Sequence, residues 1–135
     1  MHPIRLLWLA LALTLLGFSI FEGVKHGWGA TAVLIAAGLA PDLPLIGGFA
    51  GGGRLRRERV RAYNLLHHPL LPLAVAAAGV AVSFVTPDAV WLPVFLVGLA
   101  WLTHIAVDRA AGYGLRAADG TIRPVGVAAR TPCSA

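Results

Sequence analysis

The chain has 135 residues, of which 58% are hydrophobic and 13% charged, and its formal net charge is +5. Soluble domains average about 45–50% apolar and about 25% charged residues, and a core of this length cannot hide so much apolar surface from water. The composition therefore excludes a soluble globular protein and predicts one integral membrane domain that has the lipid bilayer as its main partner.

Four hydrophobic runs are long enough to predict transmembrane helices, since a span needs roughly 20 apolar residues or somewhat fewer in a thinned bilayer. Glu22 and Gly23 separate the first two runs, the prolines of "APDLP" stop the second, and a short "TPD" turn leads into the fourth. The short connections predict an all-α, antiparallel four-helix bundle over 1–116 and a loosely ordered cytoplasmic tail over 117–135. The predicted helices cover about 6–21, 24–39, 68–85 and 89–107.

Arginines are concentrated in "GGFAGGGRLRRERVRAY", the segment between the second and third runs, where Glu58 is the only acid. The positive-inside rule places this segment in the cytoplasm, and a four-helix count puts Arg5 and both termini on the same side. We interpret the glycines as a flexible hinge and the arginines as topology signals that could also contact anionic lipid head groups. No base-stacking aromatic pattern accompanies them, so nucleic acid is not a predicted partner. The arginines are Arg54, Arg56, Arg57, Arg59 and Arg61.

Ionisable residues gather at the cytoplasmic ends of three predicted helices. His104 and Asp108 are four residues apart and share one face of the fourth helix. Asp42 follows the second helix, and His67 and His68 begin the third. Groups this polar are costly near the hydrocarbon, so we expect them to face the bundle interior and to find partners there.

Two carboxylates and two imidazoles make a common ligand set for a divalent metal, and zinc and manganese both suit mixed nitrogen and oxygen ligation. The predicted ligands are Asp42, His67, His104 and Asp108. With an open coordination position, such a metal would activate water for the hydrolysis of a lipid or a phosphoester at the membrane surface.

Several neighbouring residues could orient these ligands or bind an anionic group such as a lipid phosphate. His68 is the weaker of the two adjacent histidines, because neighbours on a helix point in different directions. The residues in this second set are Tyr63, Asn64, His68, Arg109 and Tyr113.

Other interpretations of the polar cluster stay open at this point. Arg109 or an arginine of the loop could neutralise Asp42 and Asp108, and the cluster would then lock the bundle of a non-catalytic structural or partner-binding membrane protein. A small transporter or proton relay is a third possibility, resting on the intramembrane acids and histidines alone. The pattern leaves the oligomeric state open.

Three motifs resemble the domain-of-unknown-function 4260 family of small bacterial membrane proteins: "APDLPLIG" (40–47), "AYNLLHHPLLP" (62–72) and "WLTHIAVDRAAGYGLR" (101–116). The resemblance runs from about residue 34 to residue 116 and implies the bacterial cytoplasmic (inner) membrane as the location. The family carries no established activity. The signature positions that the resemblance implies are Asp42, Tyr63, Asn64, His67, His104, Asp108, Arg109, Gly112, Tyr113 and Gly114.

The order of the motifs is also similar, more loosely, to that of the membrane-bound metal-dependent hydrolases, which share a Pro-Asp-x-Asp stretch and a histidine pair. In this chain Pro44 stands in place of the second acid, and His67 and His68 stand for the pair. This looser resemblance implies metal-dependent hydrolysis with a reduced set of ligands.

Overall fold

The computed structural model describes residues 1–86 and 90–127 of the chain. Within these residues four helical segments are long and apolar enough to cross a membrane, which confirms the predicted all-α four-helix membrane bundle. Most of the predicted "TPD" turn, the predicted start of the fourth helix at Ala89 and the tail beyond residue 127 lie outside the described residues. The four segments are Pro3–His26, Trp28–Leu45, Arg57–Ser83 and Trp91–Ala111.

The first two segments form an antiparallel pair. Helix α1 covers Pro3–His26, and Gly27 ends it with a φ of +77°, a conformation that glycine adopts without steric cost. Helix α2 covers Trp28–Leu39 and ends where the prolines predict, since proline lacks the N–H that a continuing α-helix needs. The chain goes on as a 3-10 helix, Ala40–Leu45, which carries Asp42 in its first turn.

The glycine- and arginine-rich segment differs from the predicted loop. Strands β1 (Phe49–Ala50) and β2 (Arg54–Leu55) pair antiparallel, and helix α3 covers Arg57–Leu66. Arginine is a good helix former, and the buried side chains of Leu55, Val60 and Tyr63 form a small apolar cluster that holds α3 in place. All five arginines of the segment remain exposed.

Helices α4 (Leu70–Ser83) and α5 (Trp91–Ala111) pack closely at two glycines. A Cβ added at Gly79 would lie 2.7 Å from the Cα of Phe95, and one added at Gly98 would lie 2.7 Å from the Cα of Ala76. Helix α5 also packs against α1 and α2. It is the central helix, because 39% of its most apolar stretch is buried compared with 6% for α1.

The end of α5 is tied to the start of α1. Gly112 caps α5 in the left-handed region at a φ of +102°, which glycine adopts without steric cost. The guanidinium group of Arg5 donates hydrogen bonds of 3.0 Å and 2.8 Å to the carbonyl oxygens of Ala110 and Ala111. A cation at a helix C-terminus also complements the helix dipole. The basic N-terminal region and the end of α5 therefore lie at one end of the bundle.

The chain after α5 folds back beside the β1–β2 hairpin. Arg116 and Ile122 form an antiparallel bridge, and the backbone N–H of Leu55 donates to the carbonyl oxygen of Gly120. Within this turn the Thr121 hydroxyl and backbone N–H donate to the carboxylate of Asp119 and lower the pKa of that group. The described part of the predicted tail thus makes a defined set of backbone contacts.

Candidate metal centre

Three separate elements bring the four predicted ligands together. Asp42 comes from the 3-10 helix, His67 lies in the turn after α3, and His104 and Asp108 lie one turn apart near the end of α5. One nitrogen or oxygen atom from each residue lies within 4.8 Å of the corresponding atom of the others. The grouping depends on the tertiary fold, since 66 residues separate Asp42 from Asp108 in the chain.

Each histidine Nε2 faces both carboxylates. The Nε2 of His67 lies 3.4 Å from Asp42 Oδ1 and 3.4 Å from Asp108 Oδ2. The Nε2 of His104 lies 3.5 Å and 3.7 Å from the same two oxygens. These separations exceed the usual 2.7–3.2 Å of a hydrogen bond, so the groups surround a common point without bonding one another directly.

The cluster has the size of a site for one metal ion. Zinc lies about 2.0–2.2 Å from histidine nitrogen and carboxylate oxygen, so the ligand atoms of a tetrahedral site stand roughly 3.3–3.6 Å apart. The four nitrogen–oxygen separations of the cluster run from 3.4 Å to 3.7 Å, and the two remaining separations lie within 4.8 Å. The side chains would move closer to the centre to bind an ion as tightly as this.

The two Nε2 atoms have no hydrogen-bond partner among the described residues, although both are buried. A buried nitrogen without a partner costs about 1–3 kcal/mol, and folded proteins rarely leave one. Two such atoms aimed at one pair of carboxylates make this cluster the candidate metal centre of the described residues.

The ring of His67 is held in one orientation. Its Nδ1 lies 2.9 Å from the carbonyl oxygen of Tyr63, and the two rings stack with their centroids 3.8 Å apart. Because a carbonyl oxygen only accepts, Nδ1 donates in this bond, and Nε2 is the ring nitrogen that faces the carboxylates. Metal-binding histidines are usually oriented by such a bond from their second nitrogen.

No arginine or lysine lies within 4.0 Å of either carboxylate in the part of the chain that the structure describes. Arg109 instead donates to two backbone carbonyl oxygens, that of His67 at 2.9 Å and that of Tyr113 at 2.8 Å. The described residues therefore contain no direct ion pair between these carboxylates and Arg109 or an arginine of the loop. Arg109 uses its hydrogen bonds for the backbone carbonyls at the turns.

The four side chains of the cluster differ in exposure. The side chain of His67 is fully buried, His104 is 15% exposed, Asp108 is 22% exposed and Asp42 is 47% exposed. Asp42 is therefore the member of the cluster most open to solvent.

Further residues brace the ligands from outside the cluster. The side chain of Asn64 accepts from the backbone N–H of Arg116 at 2.7 Å and donates to its carbonyl oxygen at 2.9 Å. The guanidinium of Arg116 lies over the ring of Tyr63, and the indole N–H of Trp101 donates to the carbonyl oxygen of Leu66. The sequence did not predict these contacts of Arg116 and Trp101, because contacts that depend on the tertiary fold leave no spacing pattern in the chain.

Some predicted residues lie away from the cluster. His68 is exposed and is not among the grouped ligands. Tyr113 is 52% exposed, and its hydrogen bonds come from its backbone: its N–H donates to the carbonyl oxygen of Asp108, and its carbonyl oxygen accepts from Arg109. The exposed arginines of the β2–α3 segment also stay outside the group.

A model of the family described as "Domain of unknown function (DUF4260)" matches residues 5–123. The matched region contains all three motifs and all four residues of the cluster. No curated protein and no solved structure matches the chain. The looser similarity to metal-dependent hydrolases therefore receives no support from these comparisons.

Proposed function

The chain belongs to the family described as "Domain of unknown function (DUF4260)", and we propose that it is a membrane protein that binds one divalent metal ion in its Asp–His cluster. The observation that carries the proposal is the pair of buried, unpartnered Nε2 atoms of His67 and His104, each 3.4–3.7 Å from the same two carboxylate oxygens. Two carboxylates and a divalent cation also balance in charge, which offsets the cost of placing these groups at a membrane boundary.

Zinc is the metal that we expect to bind best. Two imidazole nitrogens and two carboxylate oxygens suit four-coordinate zinc, whereas manganese favours six oxygen-rich ligands in an octahedron. Manganese would need two or more ligands in addition to the four that the cluster offers.

We propose the cytoplasmic face of a bacterial inner membrane as the place where the cluster works. The exposed arginines of the β2–α3 segment and Arg5 lie at the same end of the bundle as the cluster, and the far end carries Lys25. Basic residues accumulate on the cytoplasmic side of membrane proteins, which supports this orientation.

Hydrolysis of a lipid ester or phosphoester is the reaction that such a site would support. When bound, the metal would supply Lewis acidity and lower the pKa of water to about 7. A catalytic site keeps one coordination position open, and Asp42 is the ligand most open to solvent. His67 would stay fixed through its bond to Tyr63 and keep the ion in place.

A non-catalytic role is the second candidate, and the four-ligand geometry itself favours it. Structural zinc sites are usually closed by four protein ligands, and here the ligands join the 3-10 helix, the α3–α4 turn and α5. A structural site predicts that metal stabilises the bundle while lipid esters and phosphoesters placed in the same membrane stay intact.

Elemental analysis of gently purified protein tests the proposal. We expect about one zinc ion per chain in the wild type and little in the His104→Ala/Asp108→Ala double variant, because two of the four ligands are lost. His68→Ala is the matched control, since it removes an adjacent but exposed imidazole and should leave the metal content unchanged. Equal, negligible metal in all three proteins would end this proposal.

A further inference from the structure

An apolar groove of about 660 Å³ runs along the bundle and ends at the metal centre. Helices α1 and α2 form its walls, and α5 closes it at the end where His104 lies. His104 is the residue that the groove shares with the Asp–His cluster. The far end of the groove lies at Gly27 and Trp28, where α1 passes into α2.

We infer that this groove, which we call the α1–α2 groove, holds one acyl chain of a phospholipid and brings its head group to the metal centre. The inference rests on the proposed function, and it names the class of molecule that the centre acts on or holds. The occupant enters sideways from the bilayer, with its phosphate beside the cluster and the end of its chain near Trp28.

The surface of the groove suits a hydrocarbon chain. The hydroxyl groups that line it donate to helix carbonyl oxygens: Ser19 to Leu15 at 2.8 Å, and Thr103 to Leu99 at 2.7 Å. Thr31 likewise lies 3.2 Å from the carbonyl oxygen of Gly27. Because these donors are already used, the groove offers apolar contact in place of hydrogen bonds.

The length and the opening of the groove also fit an acyl chain. On α2 it extends from Trp28 to Gly38, about 15 Å at 1.5 Å per residue, which is half of a hydrocarbon layer roughly 30 Å thick. Its rim residues Ile20, Val24 and Ile35 are 58–81% exposed on the lipid-facing surface. The groove is therefore long enough for a large part of one acyl chain and is open to the bilayer along its side.

Charge at the inner end complements an anionic head group. The exposed arginines of the β2–α3 segment lie at the end of the bundle that carries the cluster, and Arg5 lies at the same end beside the last turn of α5. Basic residues attract the phosphate of anionic lipids at a membrane surface. A phospholipid offers an acyl chain for the apolar groove and a phosphate for the basic end of the bundle. A purely apolar partner helix would fit only the groove.

Two glycine substitutions separate occupation of the groove from general effects on the bundle. A Cβ added at Gly38 would meet only the carbonyl oxygen of Ala100, at 4.0 Å, so the position accepts a side chain, and Gly38→Leu adds one to the wall of the groove beside His104. Gly17 lies in α1, has nothing within 4 Å of an added Cβ and does not line the groove. Gly17→Leu is therefore the matched control.

The experiment uses full-length protein in vesicles of phosphatidylcholine and phosphatidylglycerol, with a tracer phospholipid that carries a diazirine at the end of one acyl chain. After irradiation, mass spectrometry should find adducts concentrated on residues 20–31 in the wild type and in Gly17→Leu. In Gly38→Leu the adducts on that segment should fall about tenfold or more. The added side chain would overlap with the bound acyl chain and lower the affinity of the groove for it by about that factor.

Equal labelling of residues 20–31 in Gly38→Leu and the wild type would overturn the inference. Labelling spread evenly over all lipid-facing helices would also overturn the inference. So would a groove that stays unlabelled because a second copy of the chain covers it. Zinc content measured on the same samples separates the two proposals. If residues 20–31 are labelled selectively but no metal is bound, the proposed metal centre is wrong and the acyl-chain site remains supported. If metal is bound but labelling is uniform, the acyl-chain site is wrong and the metal centre remains supported.

Discussion

The Nδ1 of His67 and the carbonyl oxygen of Tyr63 lie 2.9 Å apart, one helical turn from each other at the end of α3. Nδ1 donates in this contact, and Nε2 is the ring nitrogen that faces Asp42 and Asp108. The same turn receives a hydrogen bond from Arg109 at the carbonyl oxygen of His67. The position of a buried ligand is thus fixed by backbone bonds on both of its sides.

Zinc should stabilise the wild-type protein and should not stabilise His67→Gln. Because the ion binds only the folded cluster, a free concentration one hundred times the dissociation constant raises the free energy of unfolding by about 2.7 kcal/mol. The measurement is thermal unfolding in detergent with added zinc or with a chelator.

His68→Gln is the control for this prediction, because His68 is exposed and lies next to His67 in the chain. It should respond to zinc as the wild type does. A zinc-dependent rise of the same size in His67→Gln would contradict the assignment of His67 as a ligand.

Arg109→Lys should destabilise the bundle although it keeps the positive charge. The guanidinium group bridges the carbonyl oxygens of His67 and Tyr113, and a lysine ammonium on a single stem cannot reproduce this fork. Leaving one buried carbonyl without its donor lowers the free energy of unfolding by about 1–3 kcal/mol. Denaturation in mixed micelles measures the change.

Arg57→Lys provides the comparison for Arg109→Lys, because Arg57 is exposed at the start of α3. We expect its free energy of unfolding to stay within about 0.5 kcal/mol of the wild-type value. If the two variants unfolded alike, the carbonyl bridge would not be a main contact of this region.

Gly79→Ala should weaken the packing of α4 on α5. The added Cβ would lie 2.7 Å from the Cα of Phe95, so the two helices must move apart. Overpacking of this kind costs about 1–3 kcal/mol.

Gly17→Ala is the control for this prediction. Its added Cβ meets no atom within 4 Å, and it should stabilise α1 by up to about 1 kcal/mol, since alanine is the better helix former. Similar unfolding curves for the two variants would contradict the close approach at Gly79.

The helices could be predicted from the sequence because lipid imposes a simple rule on length and polarity. The second helix ends at Leu39, where the prolines of "APDLP" begin. The β1–β2 hairpin and α3 could not be predicted in the same way. Their stability comes from a small cluster around Leu55 and Tyr63, and the arginines between these residues hide its pattern.

The candidate site could be predicted in part. The four-residue spacing of His104 and Asp108 placed both on one face of a helix, and the helix ends placed Asp42 and His67 at the same membrane level. The resemblance to the family, which the family match confirms, covers the same four positions. The environment of these ligands could not be read from the chain. Arg109 has the charge that suits a carboxylate, yet it binds backbone carbonyls, and only the fold determines which acceptors lie within its reach.

The orientation of the bundle can be tested with two single-cysteine variants. Cys133 is the only cysteine of the chain, so a Cys133→Ser background leaves each new thiol alone. Lys25 and Arg59 are both exposed and lie at opposite ends of the bundle.

A membrane-impermeant maleimide added to intact spheroplasts should label Lys25→Cys at least about tenfold more than Arg59→Cys, because the arginine-rich segment stays inside. Inverted vesicles should give the opposite ratio, and permeabilised membranes should label both variants. Stronger labelling of Arg59→Cys in intact spheroplasts would place the metal centre on the outer face, where the lipids of the inner leaflet could not reach it.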